Sequence, residues 1–261
     1  MQFLAKISRS TYPCFMSGIY DDIAPLRSRD DIISGSDPQL STDDRVRIAN
    51  AQVPITVAEP EGNARGGIVV LHESREFTGS LLELMKALAT EGWTVVAPNL
   101  FHRIDGEPAQ EVFGDELFDD FDACFDWLTR RGVFPDCIGV LGFDHAGTAA
   151  FLVATNRPVG AAVSVAASGI VEPLTDEADA LIRAAPDLQA PWLGLFGADD
   201  PDTPPTHVEQ LRDAAARAAV ASLVVTYPGL HHRADRPGGD EDFDLVDSQT
   251  RIFDWFDSNL R

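Results

Sequence analysis

The stretch "VLGFDHAG" (140–147) places Asp144 between an apolar run, "CIGVLG", and a segment of helical character, "TAAFLVAT". A strand, a small-residue turn and a helix in that order is the layout of a nucleophile elbow, G-x-Nuc-x-G, which presents one side chain at a sharp turn. Here the apex is a carboxylate, Asp144, instead of Ser or Cys. The second glycine of the pattern is Ala146, with Gly147 directly behind it. Three uses of Asp144 stay open on these residues: a nucleophile that forms an ester, a general base or binding group, and the remnant of a lost nucleophile.

Three other segments carry residues of the same kind. "VVLHESRE" holds His72, Glu73, Ser74 and Arg75. "LFGADDPDTPP" holds Asp199, Asp200 and Asp202, and "TYPGLHHRADR" holds His231, His232, Arg233 and Arg236. Each follows an apolar strand-like run, and in open parallel sheets ligands bind at the carboxyl ends of the strands. The chain order is elbow residue, then acid, then histidine, as in the triads of α/β-hydrolases.

The elements that must position these residues alternate. "GIVVLH" (67–72), "WTVVAPNL", "CIGVLG", "AAVSVAA", "APWLGLFG" and "ASLVVTYPG" read as strands. Their near-continuous apolar character suits strands buried on both faces. "GSLLELMKALATEG", residues 110–131, "THVEQLRDAAARAAV" and "DSQTRIFDWFDSNL" read as helices. In the second of these, Phe113, Leu117, Phe121, Phe125 and Leu128 share one face. The expected fold is α/β: a mostly parallel central sheet with helices on both faces, over residues 44–261. "RVRIAN" and "PITVAEP" read as an opening strand pair, and residues 1–43 as an N-terminal arm or disordered tail, with Met1 or Met16 as the start.

With these segments placed, a resemblance to the dienelactone hydrolase family of α/β-hydrolases can be stated. "GIVVLHE" and "ALATEGWTVVAPNLFHR" resemble that family's "GVVVIHE" and "LAAEGYVVLAPDLYGR". "IGVLGFDHAG" resembles its "IGVVGFCFGG", in which Cys is the nucleophile. "LFGADDPDTPP" and "YPGLHHRA" resemble its "LFGEDDPLVPP" and "YPGAGHGF". The resemblance implies a hydrolase triad of Asp144, Asp200 and His232, with His231 as the rival for the last place. It implies that Glu73 contacts the nucleophile, that Arg103 and Arg236 bind a substrate carboxylate, and that the backbone N–H groups of Ser74 and His145 form the oxyanion hole. His72 and His145 are expected to be structural neighbours of the site. Neither metal nor organic cofactor is implied.

Asp for Cys puts the reaction in question, not the fold. Carboxylate attack on a carbonyl gives an anhydride, higher in energy than the ester it came from. Attack on sp3 carbon gives an ordinary ester that a His–acid pair can hydrolyse, the use made of Asp in the haloalkane dehalogenases and epoxide hydrolases that "GFDHAG" resembles. Those enzymes carry a helical cap, and residues 167–191 are short for one. Glu73 beside Asp144 would put two carboxylates in one site, so that one pKa rises unless Arg75 or Arg103 pairs with them. A catalytically silent relative that binds a small carboxylate is the alternative function.

Composition narrows the setting. The chain has 42 acidic and 20 basic residues, a net charge of −22, and Lys6 and Lys86 are its only lysines. Nucleic acid and anionic membranes are poor partners for such a surface. The balance suits either a salt-rich cytoplasm, where screening relieves self-repulsion, or an acidic protein from a GC-rich genome, which favours Arg, Ala and Asp codons. Cys14, Cys124 and Cys137 form no metal or disulfide pattern. The expectation is a cytoplasmic monomer or homodimer acting on a small molecule.

Overall fold

A computed structural model describes residues 18–26, 52–72, 79–100, 102, 115–176, 178–228 and 243–260. The strands are β1 (Ile19–Pro25), β2 (Gln52–Ala58), β3 (Gly66–Leu71), β4 (Trp93–Pro98), β5 (Ile138–Phe143), β6 (Ala161–Val165), β7 (Trp192–Gly197) and β8 (Ser222–Tyr227). They form one eight-stranded sheet in the order β1-β2-β4-β3-β5-β6-β7-β8. β2 runs antiparallel to both β1 and β4, and every other pairing is parallel. Strands β3 to β7 are buried at every residue, which is why they read as unbroken apolar runs.

The helices are α1 (Gly79–Thr90), α2 (Asp115–Arg130), α3 (His145–Asn156), α4 (Leu181–Ala184), α5 (Pro205–Ala215) and α6 (Phe243–Asn259). Successive strand side chains point to opposite faces, and two cores result. Val69 and Leu71 of β3 join the core under α2, α3, α4 and α5. Ile68 and Val70 join the one under α1 and α6. The expected stripe of α2 is buried at Leu117, Phe121, Phe125 and Leu128, while Phe113 lies outside the described residues. Cys124 and Cys137 are buried, and burial, helped by Asp120, holds the Cys124 thiol well above its ordinary pKa. Among the described residues no helix is long and apolar enough to cross a membrane.

The N-terminal reading needs correction. Ile19–Pro25, placed by sequence in the arm, is an edge strand paired residue for residue with β2. The partner expected for β2, "RVRIAN", lies outside the described residues. "IYDDIAP" looks like loop because of its adjacent acids, yet a strand sends neighbouring side chains to opposite faces and gives each acid its own partner. Asp21 Oδ1 accepts from Thr56 Oγ1 at 2.9 Å. Asp22 Oδ2 accepts from Trp127 Nε1 at 3.1 Å and from Arg131 at 3.4 Å, and the Arg131 guanidinium lies 3.5 Å from the Trp127 ring centre. Helix α5 is also shorter than its periodicity suggests, ending at Ala215, and α6 begins earlier, at Phe243.

Tyr20 completes the anchoring of β1 by donating to Glu59 at 2.7 Å. Burial, then this bond to a carboxylate, pushes its phenol up from 10.0 to about 12. A raised folded pKa makes the contribution full below the unfolded value near 10 and lost as pH climbs through 12. Denaturant midpoints should therefore fall between those pH values in the wild type and fall less steeply in Tyr20→Phe. Parallel profiles would remove Tyr20 from the linkage.

Candidate functional site

Asp144 follows the last residue of β5, at the centre of the sheet between β3 and β6. Its φ of 52° and ψ of −125° place a residue with a side chain where glycine is the ordinary occupant. Such a conformation costs of order 1–3 kcal/mol and survives only where its surroundings impose it.

Those surroundings are backbone packed on backbone. A Cβ on Gly142 would lie 2.0 Å from the Ala146 carbonyl oxygen, and one on Gly147 would lie 2.9 Å from the Val165 carbonyl oxygen. Only residues without a side chain let β5, the first turn of α3 and β6 approach this closely. Ala146, which stands where the motif has its second glycine, is 3 % exposed and accommodates its methyl group. The Asp144 N–H donates to Val165 at 2.8 Å, and the Asp144 carbonyl accepts from Gly147 at 2.9 Å.

A buried relay supports the turn from the far side. The Trp192 indole N–H of β7 donates to Ser164 Oγ at 3.1 Å, and Ser164 donates to the Gly147 carbonyl at 2.7 Å. Thr148 Oγ1 donates to the Ser168 carbonyl at 2.7 Å. Sequence reasoning missed this relay. The signal was present in Ser164, a hydroxyl inside the otherwise apolar "AAVSV", because a buried hydroxyl requires partners.

Asp144 occupies the N-cap position of α3, yet its carboxylate makes no capping hydrogen bond. Asp is among the best N-cap residues, yet at this φ and ψ no such bond forms. It is half-buried, as is His145. The start of a helix favours negative charge nearby, which suits a carboxylate or an oxyanion.

Asp200 stands in the loop after β7. It is 4 % exposed, whereas Asp199 and Asp202 are exposed. Its Oδ1 accepts from the Asp202 N–H at 2.8 Å and its Oδ2 from Thr203 Oγ1 at 2.9 Å. These bonds hold a buried carboxylate in one orientation, and they separate Asp200 from two neighbours of the same type. One strand, β6, lies between β5 and β7. Asp144 and Asp200 thus leave the same sheet end from strands about 10 Å apart.

His72, at the end of β3, is 5 % exposed, and its Nε2 lies 3.1 Å from the Pro98 carbonyl at the end of β4. It ties two strand ends together, as a structural neighbour would. Glu73, Ser74, Arg75, Arg103, His231, His232 and Arg236 lie outside the described residues. Just before Arg103, His102 Nε2 is 3.3 Å from Oδ1 of the fully buried Asp120. The stretch between β6 and β7 holds α4 and one 3-10 turn, Ala185–Asp187. Among the described residues no group of three His, Cys, Asp or Glu is placed to hold a metal ion.

The model of the dienelactone hydrolase family matches residues 53–259. The chain belongs to that family. It is a hydrolase with the α/β-hydrolase fold. A provisionally named carboxymethylenebutenolidase of Salmonella typhimurium is 26 % identical over 222 residues, 78 % of this chain and 82 % of the relative. One from Methylorubrum extorquens is 24 % identical over 255 residues, 90 % of this chain and 86 % of the relative. Among solved structures, a provisionally named dienelactone hydrolase from Klebsiella pneumoniae superposes with a TM-score of 0.73 at 23 % identity, covering 92 % of this chain and 99 % of that one. That likeness concerns the fold.

Ser164→Ala tests the relay. It leaves the buried Trp192 N–H without its acceptor and the Gly147 carbonyl without its donor, at a cost of about 2 kcal/mol. Urea unfolding should read that loss, with a fall in turnover as the elbow loosens. An unchanged midpoint would mean that the elbow holds itself.

Proposed function

We propose that this chain hydrolyses a small anionic substrate through a covalent ester on Asp144. The observation that carries the reading is Asp144 itself, held at φ 52° on the elbow apex with its carboxylate withheld from helix capping. The oriented, buried Asp200 supports the same reading, since a silent binder has no use for it.

In this mechanism an Asp144 oxygen attacks an sp3 carbon, and the bond to the leaving group breaks with its electron pair departing on that group. An alkyl ester of Asp144 results. His232, oriented by Asp200, takes a proton from water as the water oxygen attacks the ester carbonyl. The backbone N–H groups of Ser74 and His145 hold the oxyanion. Collapse breaks the acyl C–O bond, the alcohol takes the proton from His232, and the Asp144 carboxylic acid so formed gives up the second water proton to become a carboxylate again. The net reaction consumes one water: a halide leaves with a proton, whereas the oxygen of an epoxide stays in the product and takes that proton up. Glu73 is an auxiliary carboxylate beside the nucleophile, and Arg103 and Arg236 hold the anionic group of the substrate. The acid-rich surface suits a salt-rich cytoplasm, so molar salt is the medium for assay.

The experiment compares wild type, Asp144→Asn and Asp144→Cys on four probes: glycidate, 3-bromopropionate, a dienelactone and a small aryl ester. Wild type should turn over an alkyl-type probe, and Asp144→Asn should lose that activity by about a thousandfold or more. Asp144→Cys should gain activity on the lactone and aryl ester, because elbow and oxyanion hole are kept. Equal rates for wild type and Asp144→Asn would remove Asp144 from the chemistry.

A further inference from the structure

Among the described residues the sheet ends in β1 on one side and β8 on the other. The two edges differ in kind. β1 carries Asp21, Asp22 and Pro25, and charges and proline are what keep an edge strand from pairing with another chain. β8, "SLVVTY", has no charged residue and no proline, in a chain whose net charge is −22. Leu223 is 42 % exposed on it, and Thr226 is exposed as well.

The backbone of β8 is set for a further strand. The Trp192 N–H donates to the Ala221 carbonyl at 3.0 Å, and the Ala198 N–H to the Tyr227 carbonyl at 2.7 Å. Peptide groups alternate in direction along a strand, so Leu223, Val225 and Tyr227 direct theirs at β7, while Ser222, Val224 and Thr226 direct theirs outward. Arg212 Nη2 lies 3.5 Å from the Val224 carbonyl, a weak contact that leaves a lone pair for another donor. The strand itself is held firmly. Val224 is buried in the core under α5, and the Tyr227 hydroxyl donates to Asp247 Oδ2 of α6 at 2.7 Å. A fixed row of outward donors and acceptors is a template for a strand of another chain.

We propose that a second copy of this chain occupies the edge, β8 pairing with β8 antiparallel about a two-fold axis at Val224. Val224 then faces the partner's Val224, and Ser222 faces the partner's Thr226. Each pair exchanges two N–H···O bonds through the groups that point outward. Leu223 faces the partner's Val225 in the closer, non-hydrogen-bonded kind of pair, with about 4.5 Å between Cα atoms. The exposed leucine is covered, and no charged side chain of β8 meets its own copy. The acids elsewhere still repel, so association strengthens as salt screens them. Two-fold pairing uses both β8 edges at once, and the guarded β1 edges stop growth at the dimer.

Sedimentation equilibrium of the full chain reads the association. Wild type should be a dimer in molar salt, with a dissociation constant at least tenfold higher at about 0.1 M salt. Leu223→Lys and Thr226→Pro should each weaken the dimer by about tenfold or more, with urea midpoints close to wild type. The lysine replaces an exposed side chain, and the proline removes an N–H that bonds nothing within one copy's sheet. In a Cys14→Ser background, oxidation should link the double variant Leu223→Cys, Val225→Cys into a dimer and leave each single variant unlinked, because only the 223–225 pair comes within disulfide reach. A wild type that is monomeric in molar salt would overturn the proposal, and slow exchange of the Ser222 and Thr226 amides in that monomer would assign the edge to a segment of the chain itself. A dimer that neither Leu223→Lys nor Thr226→Pro weakens, or that the cysteine pair does not link, would place the interface elsewhere and overturn it too.

Discussion

The whole arrangement depends on one contact between backbones. The first turn of α3 lies so close to β5 that a methyl group on Gly142 would sit inside the Ala146 carbonyl, and Gly147 meets β6 almost as closely. With the turn fixed on both sides, the residue between has no relaxed conformation available, and Asp144 takes the positive φ that results. The strain is therefore generated by packing and is independent of which side chain occupies the apex. That independence leaves the turn indifferent to the chemistry of the side chain at its apex.

Around this turn the molecule distributes support by strand. β6 supplies the acceptor for the Asp144 N–H, and Ser164 of β6 links the helix to Trp192 of β7. β7 then leads to Asp200, and β8, paired to it in register, leads to the histidine segment. Asp144 and Asp200 thus follow parallel strands of one sheet, with β6 between them, whose spacing the backbone ladder sets. The acids outside this group are of another kind. Asp21, Asp22 and Asp247 each accept from a named neighbour and secure an edge of the sheet or an end of a helix.

Much of this was legible in the chain. Five strands buried on both faces leave no alternation to mistake, and the glycines of "GFDHAG" announce a close turn before any coordinate is known. β1 was hidden because "YDD" reads as solvated acid, and its two carboxylates are satisfied by Thr56 and by Trp127, residues 35 and 105 positions away. No local pattern can show that. Residue type alone does not separate Asp199, Asp200 and Asp202; the family resemblance points to Asp200, and burial with the bonds from the Asp202 N–H and Thr203 sets that residue apart physically.

The central claim is that Asp144 bonds covalently to substrate carbon and that water later attacks the ester at the Asp144 carbonyl. Turnover in oxygen-18 water tests this most directly, read by the mass of the peptide that contains Asp144 after several cycles on glycidate or 3-bromopropionate. The account predicts heavy oxygen in the Asp144 carboxylate, because each hydrolysis leaves one water oxygen there. Label confined to the alcohol product, with Asp144 unlabelled after the same number of turnovers, would show water attacking the substrate itself and would contradict the covalent mechanism.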